Sequence, residues 1–460
     1  MELPHFLMHQ GVDTDTLCSY CLDHNADVHI RDNYRNTPLS LATYGGHLEV
    51  AQILLEHNVE VNSQNNHRST PLLHASENGH QDVVQLLLDH NADVHVRDSD
   101  GSTSLSLAVY GGHLEVSRTL LKHNAEVNSR DKRGCTPLLT ASQHGYQDVV
   151  QLLLNHNADA HICDNNSNTL LSLVVNGDHL EVARTLLKWN MDVNSRNGHG
   201  RTPLLDASEN GHQHVLQLLL DHNADVHVSD NDGATPLSLA AYSGHLEVSR
   251  TLLKYNVEVN SRDDHGHYPL LPASSSGHPD VVRLLLDHSA DVHAHFNGGY
   301  TSLHWAARHG YLGVSPILLE YSAEVNSRDD HGSTPLLLAS EVGTPDVVRL
   351  LLDHNAYPHV RDDDGDTLLH CAAIGGQLEI AQLLLFELNM EVNSRNEKGS
   401  TPLHLASAGY EEGYPAIVRL LLDHGADAQA RNLNGETASE VARGSKQQEI
   451  IQSLSQYAAE

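Results

Sequence analysis

The chain has 460 residues, a formal net charge of −33 with neutral His, and 4% aromatic residues, with three Phe and two Trp. That charge repels phosphate backbones and anionic lipid, and no Lys/Arg run offers a local exception, so nucleic acid and membranes are excluded as expected partners. Length alone would suggest about three ordinary domains, but so few rings leave Leu, Val and Ala to do the packing, which suits thin stacked layers better than one thick core.

Met1 to Asp13 show no basic segment followed by an apolar one, and no apolar run reaches the roughly 18 residues that a membrane span needs. Five Cys make no disulfide framework and fit a reducing compartment, so a cytoplasmic protein is expected, with the nucleus as second choice. Residues 1–31 read as a degenerate N-terminal capping repeat, in register through Leu17, Leu22 and the stretch 25–28. From Thr37 onward a Thr, usually followed by Pro, recurs every 33 residues at Thr70, Thr103, Thr136, Thr169, Thr202 and Thr235. The register continues through Tyr268, Thr301, Thr334 and Thr367, then reaches Thr401 and Thr437 after one and three inserted residues. Twelve repeats fill 32–430. Residues 431–460, with Ile450, Ile451 and Leu454 on one face and Lys446, Gln447, Gln448 and Gln452 on the other, read as a C-terminal capping repeat where the array is expected to end.

The repeat from Thr202 shows the physics. Thr202 is an N-cap and Pro203 fills the first helical position, where a missing N–H costs nothing. Leu204, Leu205 and Ala207 give a short helix that Gly211 ends. Val215, Leu218, Leu219 and Leu220 form the apolar face of a second helix, and Asn223 follows where a left-handed residue is wanted. A turn-rich strip then leads to the next Thr. Neither helix can bury its stripe alone, so the copies must stack. Alternate copies share their own wording, as at 111–130 against 78–98, which gives a second period of 66 residues and implies duplication in pairs.

These copies resemble ankyrin repeats, most closely at 401–407 (ThrProLeuHisLeuAlaSer) and 423–428 (AspHisGlyAlaAspAla), and the resemblance runs over nearly the whole chain. It implies an all-α ankyrin-repeat solenoid of stacked helix-loop-helix units with β-hairpin or turn tips. Several copies depart from the pattern. The His of the Thr-Pro-Leu-His segment survives only at His304, His370 and His404, and elsewhere Ser and Leu alternate, as at Ser40 and Leu73, which puts the usual bonding by that His in doubt. Arg35, Arg68 and Ser167 replace the tip Gly, so those hairpins are expected to differ in shape. The Thr169 copy has Leu170 for Pro, Val174 for Ala and Asp178 for Gly, which predicts a loosened junction over 165–185. The insertion at 409–415 is expected to project.

Candidate chemistry is sparse. The sequence has no GxSxG, HExxH, GxxxxGK[ST] or GxGxxG, and the repeats leave no room for a catalytic domain, so no enzyme and no cofactor are expected. Cys18 and Cys21 form a CxxC, but in register they take the places of Ala51 and Leu54, and packing is the reading adopted. His pairs five apart (His24/His29, His90/His95, His156/His161, His222/His227, His288/His293, His354/His359) lie two repeats from one another, roughly 20 Å, too far to share a metal. The first His of each pair ends a helix, where the dipole favours a cation. On that reading stability is greater below the unfolded pKa, near 6.5, and declines as pH rises. Asn62, Asn128, Asn194, Asn260, Asn326 and Asn393 recur in ValAsnSer segments. The resemblance would permit hydroxylation there, and a hydrogen-bonding turn residue is the reading adopted.

The resemblance also implies where a partner sits: a concave groove lined by hairpin tips and the exposed side of the first helices. The tips contribute Tyr34, His67, Arg133, His199, His265, Tyr300 and His331; the first helices contribute Tyr44, Glu77, Tyr110, His144, Asn176, Glu209, Tyr242, Arg308, Glu341 and Ile374. Tyr44, Tyr110 and Tyr242 share one position in the odd-numbered copies, and Tyr and Arg are favoured at binding hot spots. The expectation is a monomeric scaffold, without catalysis or metal, for protein partners with basic segments. The alternatives are a recruitment subunit of a signalling or degradation assembly, or a His-rich metal- or pH-responsive binder.

Overall fold

The computed structural model describes residues 27–409, 413–445 and 447–457; Cys18, Cys21, His24 and the middle of the 409–415 insertion lie outside them. The chain divides into two compact units, Met1–Ala207 with His212–Asp225, and Ser208–Gly211 with Val226–Glu460. Each is a stack of the expected repeats. The described residues hold 26 α-helices and no strand, so the fold is an all-α repeat solenoid.

Local chemistry sets each helix. The repeat Thr accepts the backbone N–H three residues on, as Thr37 does from Ser40 and Thr235 from Ser238. Thr202 departs from this: its hydroxyl is buried with no hydrogen-bond partner. First helices run six to eight residues, as at Leu270–Ser275 and Pro38–Gly45. Second helices such as Gln81–Asp89 end on a left-handed residue, Asn91 there at φ 59° and Asn223 in its own copy at φ 62°. Within each unit a first helix packs on the first helix of the neighbouring repeat and on its own second helix. Leu73, Leu87, Leu105 and Leu120 are wholly excluded from solvent between these layers, and truncating one such Leu to Ala costs about 2–5 kcal/mol.

The layers are also stitched by polar groups. Between the helices, an imidazole at the start of a second helix donates its Nε2–H to a carbonyl at the end of the preceding repeat's first helix. His80 reaches Tyr44 O at 3.0 Å, His113 reaches Glu77 O at 3.0 Å, and His278 reaches Tyr242 O at 3.0 Å. The ring lies on a left-handed Gly, and a Cβ on Gly79 would stand 2.5 Å from the His113 ring. At the outer loops, Asn62 Oδ1 accepts Asp93 N–H at 2.8 Å and Asn128 Oδ1 accepts Asp159 N–H at 2.8 Å, which makes the ValAsnSer Asn an inter-repeat clamp. At the hairpins, Arg97 donates to Arg130 O at 2.7 Å and Arg361 to Arg395 O at 2.9 Å. The tips themselves join by single backbone bonds, as from Ser99 N–H to His67 O at 2.8 Å.

One expectation needs correction. Arg35, Arg68 and Ser167 do not change their hairpins. They adopt φ of 64°, 61° and 62°, and Arg35 N–H bonds Asp32 O at 2.9 Å as Gly101 N–H bonds Asp98 O at 3.2 Å. The Asp or Asn that opens each tip holds the turn through its side chain, and left-handed strain of about 1 kcal/mol is absorbed. Three buried imidazoles outside the helix-ending set carry a pH dependence of their own. His304, His370 and His404 keep the Thr-Pro-Leu-His bonding in the C-terminal unit: Nδ1 of His370 accepts Thr367 N–H at 3.2 Å, and Nε2–H donates to Ser400 O at 3.1 Å. Burial, chiefly, lowers their pKa, to about 4 for His370. In the Ser copies the Ser at the His position takes over the cap bond, as Ser106 Oγ accepts Thr103 N–H at 2.7 Å, and the Thr hydroxyl pairs with a second Ser, as Thr103 does with Ser129 at 3.1 Å.

The Thr169 copy keeps its core, with Leu170, Leu171, Val174 and Val175 wholly buried. Its defect is narrower. Asp178 sits at φ 54° with a Cβ where the sister repeats have none. The His212 ring beside it lies with Nδ1 3.6 Å from the Asp178 carboxylate, while its Nε2 is buried with no partner.

Asp178→Gly should therefore restore the imidazole bond and add about 1 kcal/mol to the stability of the N-terminal unit. Amide exchange over residues 176–182 is the local readout and should slow; unchanged exchange would mean that the lost bond is not the weak point. His370, neutral when folded, contributes stability that is complete above its unfolded pKa near 6.5 and is lost as pH falls through its folded value, about 4. The loss is on the order of 3 kcal/mol. Denaturant titrations of wild type and His370→Ser at pH 7 and pH 4 should show a smaller acid loss in the variant.

Candidate partner-binding surface

The columns read from the sequence divide into backbone and side-chain roles. The carbonyls of Tyr44, Glu77, Glu209, Tyr242 and Ile374 accept the inter-repeat donors, the last from Tyr414 Oη at 2.5 Å. The carbonyls of Tyr34, His67 and His331 accept the tip bonds, and that of Arg133 does so at 3.4 Å. Most of their side chains stay in solvent. Tyr34, Tyr44, Tyr110 and Tyr242 are 63%, 57%, 56% and 60% exposed. His67, Glu77, Arg133, His144, Asn176, His199, His265, Arg308, His331 and Ile374 are exposed as well, while Glu209, Tyr300 and Glu341 are half-buried.

The structure brings some of these together. Tyr110 and His144 meet edge to face at 5.4 Å, and His144 Nδ1–H also donates to Thr140 O at 2.9 Å, closing its own helix. In the C-terminal unit Tyr300 lies within electrostatic reach of Asp329, Arg308 and Glu341. Burial first, and then the Asp329 carboxylate, pushes the Tyr300 phenol up from its usual value. Tyr34, His67 and His199 meet no other aromatic ring among the described residues.

Sequence reading missed the most distinctive feature. Tyr300 packs on Trp305 at 5.5 Å, Trp305 stacks on His309 at 5.7 Å and 9°, and His309 stacks on Tyr311 at 5.5 Å and 19°. Beneath this row Phe296, Leu271 and Ala294 form a small buried cluster against which Tyr268 and Trp305 pack. The Arg262 guanidinium lies over the Tyr268 ring at 5.6 Å. A signal was present. Trp305 is one of only two Trp, and the stretch 294–300 breaks the repeated wording.

The first His of each described pair has a structural role. His90, His156, His222, His288 and His354 each donate Nδ1–H to the carbonyl four residues back, at 2.8–2.9 Å, satisfying a helix end. Among the described residues no three His, Cys, Asp or Glu side chains are grouped to hold a metal, and no helix is long and apolar enough to cross a membrane.

Comparison with known proteins agrees with this architecture. A family model for ankyrin repeats (3 copies) matches residues 5–98, 92–164, 170–263, 255–329 and 321–396, and one for the ankyrin repeat matches 398–433. Protein phosphatase 1 regulatory subunit 27 of Homo sapiens is 40% identical over 58 residues, and that of Mus musculus likewise, covering 13% of this chain and 36% of the relative. The chain thus spans about a third of the length of the curated relatives it matches. With these matches over most of its length, and with the cap, clamp and hairpin geometry present in each unit, the chain belongs to the ankyrin-repeat family.

Proposed function

We propose that this protein is a non-catalytic scaffold that binds a protein partner on the side of each unit lined by hairpin tips and first-helix ends. The observation that carries the reading is a division of labour. Along the first-helix column the backbone carbonyls are committed to holding repeats together, while Tyr44, Tyr110 and Tyr242 project more than half exposed. Large, rigid side chains with two rotatable bonds lose little entropy on contact and serve as anchors. Ankyrin repeats imply protein–protein interaction, and a regulatory subunit among the relatives supports the variant in which the scaffold recruits a partner to an assembly.

A photo-reactive amino acid at Tyr110 in cells should cross-link a defined protein, and the same group at Asp148, exposed on the second helix, should not. Tyr44→Ala with Tyr110→Ala should weaken that partner's binding at least tenfold while melting temperature stays unchanged. Equal cross-linking from both positions, or unchanged affinity, would reject this surface.

A further inference from the structure

The hairpins of the C-terminal unit differ from a generic acidic surface in being regularly spaced. Backbone bonds from Asp264 to Asp232 O at 3.1 Å, Asp330 to Gly298 O at 2.9 Å, Asp363 to His331 O at 3.0 Å and Glu397 to Asp364 O at 2.9 Å place a carboxylate at the same point of four rungs, three of them consecutive, with Asn297 at that point of the rung between Asp264 and Asp330. Three of them fold over the preceding tip: a Cβ on Gly299 would stand 2.6 Å from Asp330 Oδ1, on Gly332 2.2 Å from Asp363 Oδ1, and on Gly365 3.2 Å from Glu397 Cγ. Asp264, Asp330, Asp363 and Glu397 are all exposed. Arg328 approaches Asp363 only at 3.8 Å, with both side chains at least half exposed, and neutralises it weakly.

The aromatic row begins beside the second of these carboxylates, since Tyr300 follows Gly299 directly and leads to Trp305, His309 and Tyr311. Ring faces attract cations, and the fold already makes one such contact, Arg262 over Tyr268 at 5.6 Å. The chain's cations are scarce, 27 Lys and Arg against 60 Asp and Glu. Several of the Arg are committed to hairpin carbonyls, as Arg361 and Arg395 are. Arg308 and Glu341, of opposite sign, both lie within electrostatic reach of Tyr300 at the start of the row.

We propose that this edge, from Asp330 to Glu397 with the Trp305 ring row beside it, is a docking track for an extended basic segment of a partner protein, with an Arg or Lys at every third residue. The inference rests on the scaffold reading above and adds the chemistry and spacing of the occupant. The spacing follows from matching lengths. Adjacent rungs are about 10 Å apart, and three residues of extended chain span about 10 Å. The side chain that reaches the ring row is held face-on by Trp305, and the others meet rung carboxylates.

The test uses the full chain carrying Trp189→Phe, which leaves Trp305 as the only indole, and two synthetic peptides of equal length and composition. One carries Arg at every third residue, and the other carries its Arg in one block. Trp305 emission should shift and saturate with the spaced peptide, and the blocked peptide should bind at least fivefold more weakly. Asp330→Asn with Asp363→Asn should weaken the spaced peptide about tenfold, while Asp82→Asn with Asp148→Asn, the same charge removed elsewhere, should change it less than twofold. Trp305→Phe, read by peptide anisotropy, should lose severalfold in affinity, with the melting curve as the control for folding. Equal binding of the two peptides, equal effects of the two Asn pairs, or binding without a change in Trp305 emission would each overturn the track. None of these outcomes bears on the Tyr110 cross-link, so the scaffold reading can stand if the track fails, and the reverse holds too.

Discussion

Short helices are mostly ends. A first helix of seven residues leaves most of its last carbonyls without an intrahelical donor, and a stack of such helices multiplies the deficit. The repeats depend on an answer to that shortage. An imidazole of the next repeat donates Nε2–H to a terminal carbonyl and lies flat on a left-handed Gly whose missing Cβ makes room for it, as His113 does over Gly79. One contact thus terminates a helix, fixes the spacing of two layers and fills the space between them. Tyr414 does the same with its hydroxyl on Ile374 O.

The same shortage explains why so much of the polar inventory is uninformative about chemistry. His90 and its counterparts satisfy second-helix ends, Asn62 and Asn128 clamp outer loops, and Arg97 and Arg361 hold hairpin carbonyls. These residues look like ligands or catalysts when counted in a sequence, and they act as donors and acceptors for backbone. Exposed tyrosines, one concentrated row of rings and a large surplus of carboxylates are left over for contact with a partner.

The architecture was legible because it rests on periodic, local signals. The Thr-Pro start, the left-handed residue, mostly Asn, after the second helices and the 33-residue register all carried through to the helices. Contacts that span repeats were less visible. Nothing in the spelling of His80 or His113 says that the ring crosses 36 positions back to a carbonyl. The tip substitutions misled for a related reason. A missing Gly suggests a changed turn, but the Asp or Asn at the start of the hairpin supplies bonds that hold Arg35 and Ser167 in the left-handed region. At Asp178 the sequence marks only the position, as a Gly replaced where a left-handed residue is required; the orphaned His212 Nε2 belongs to a contact that spans repeats and is visible only in the fold. The Trp305 row is not legible in a 33-residue register, because it is formed where the repetition stops.

The alternation of repeats has a consequence for how such an array can change in length. In the Ser copies the Thr hydroxyl bonds a Ser of the following segment, as Thr103 does with Ser129, and in the Leu copies, as at Leu73, that site is dry. Within each unit, successive copies among the first eight therefore alternate, wet then dry. Removing one copy would set two alike faces together, while removing two rejoins faces that already fit. The quantum of growth or loss for this part of the array is 66 residues, not 33, and any ruler-like use of its length would be graduated in those larger steps.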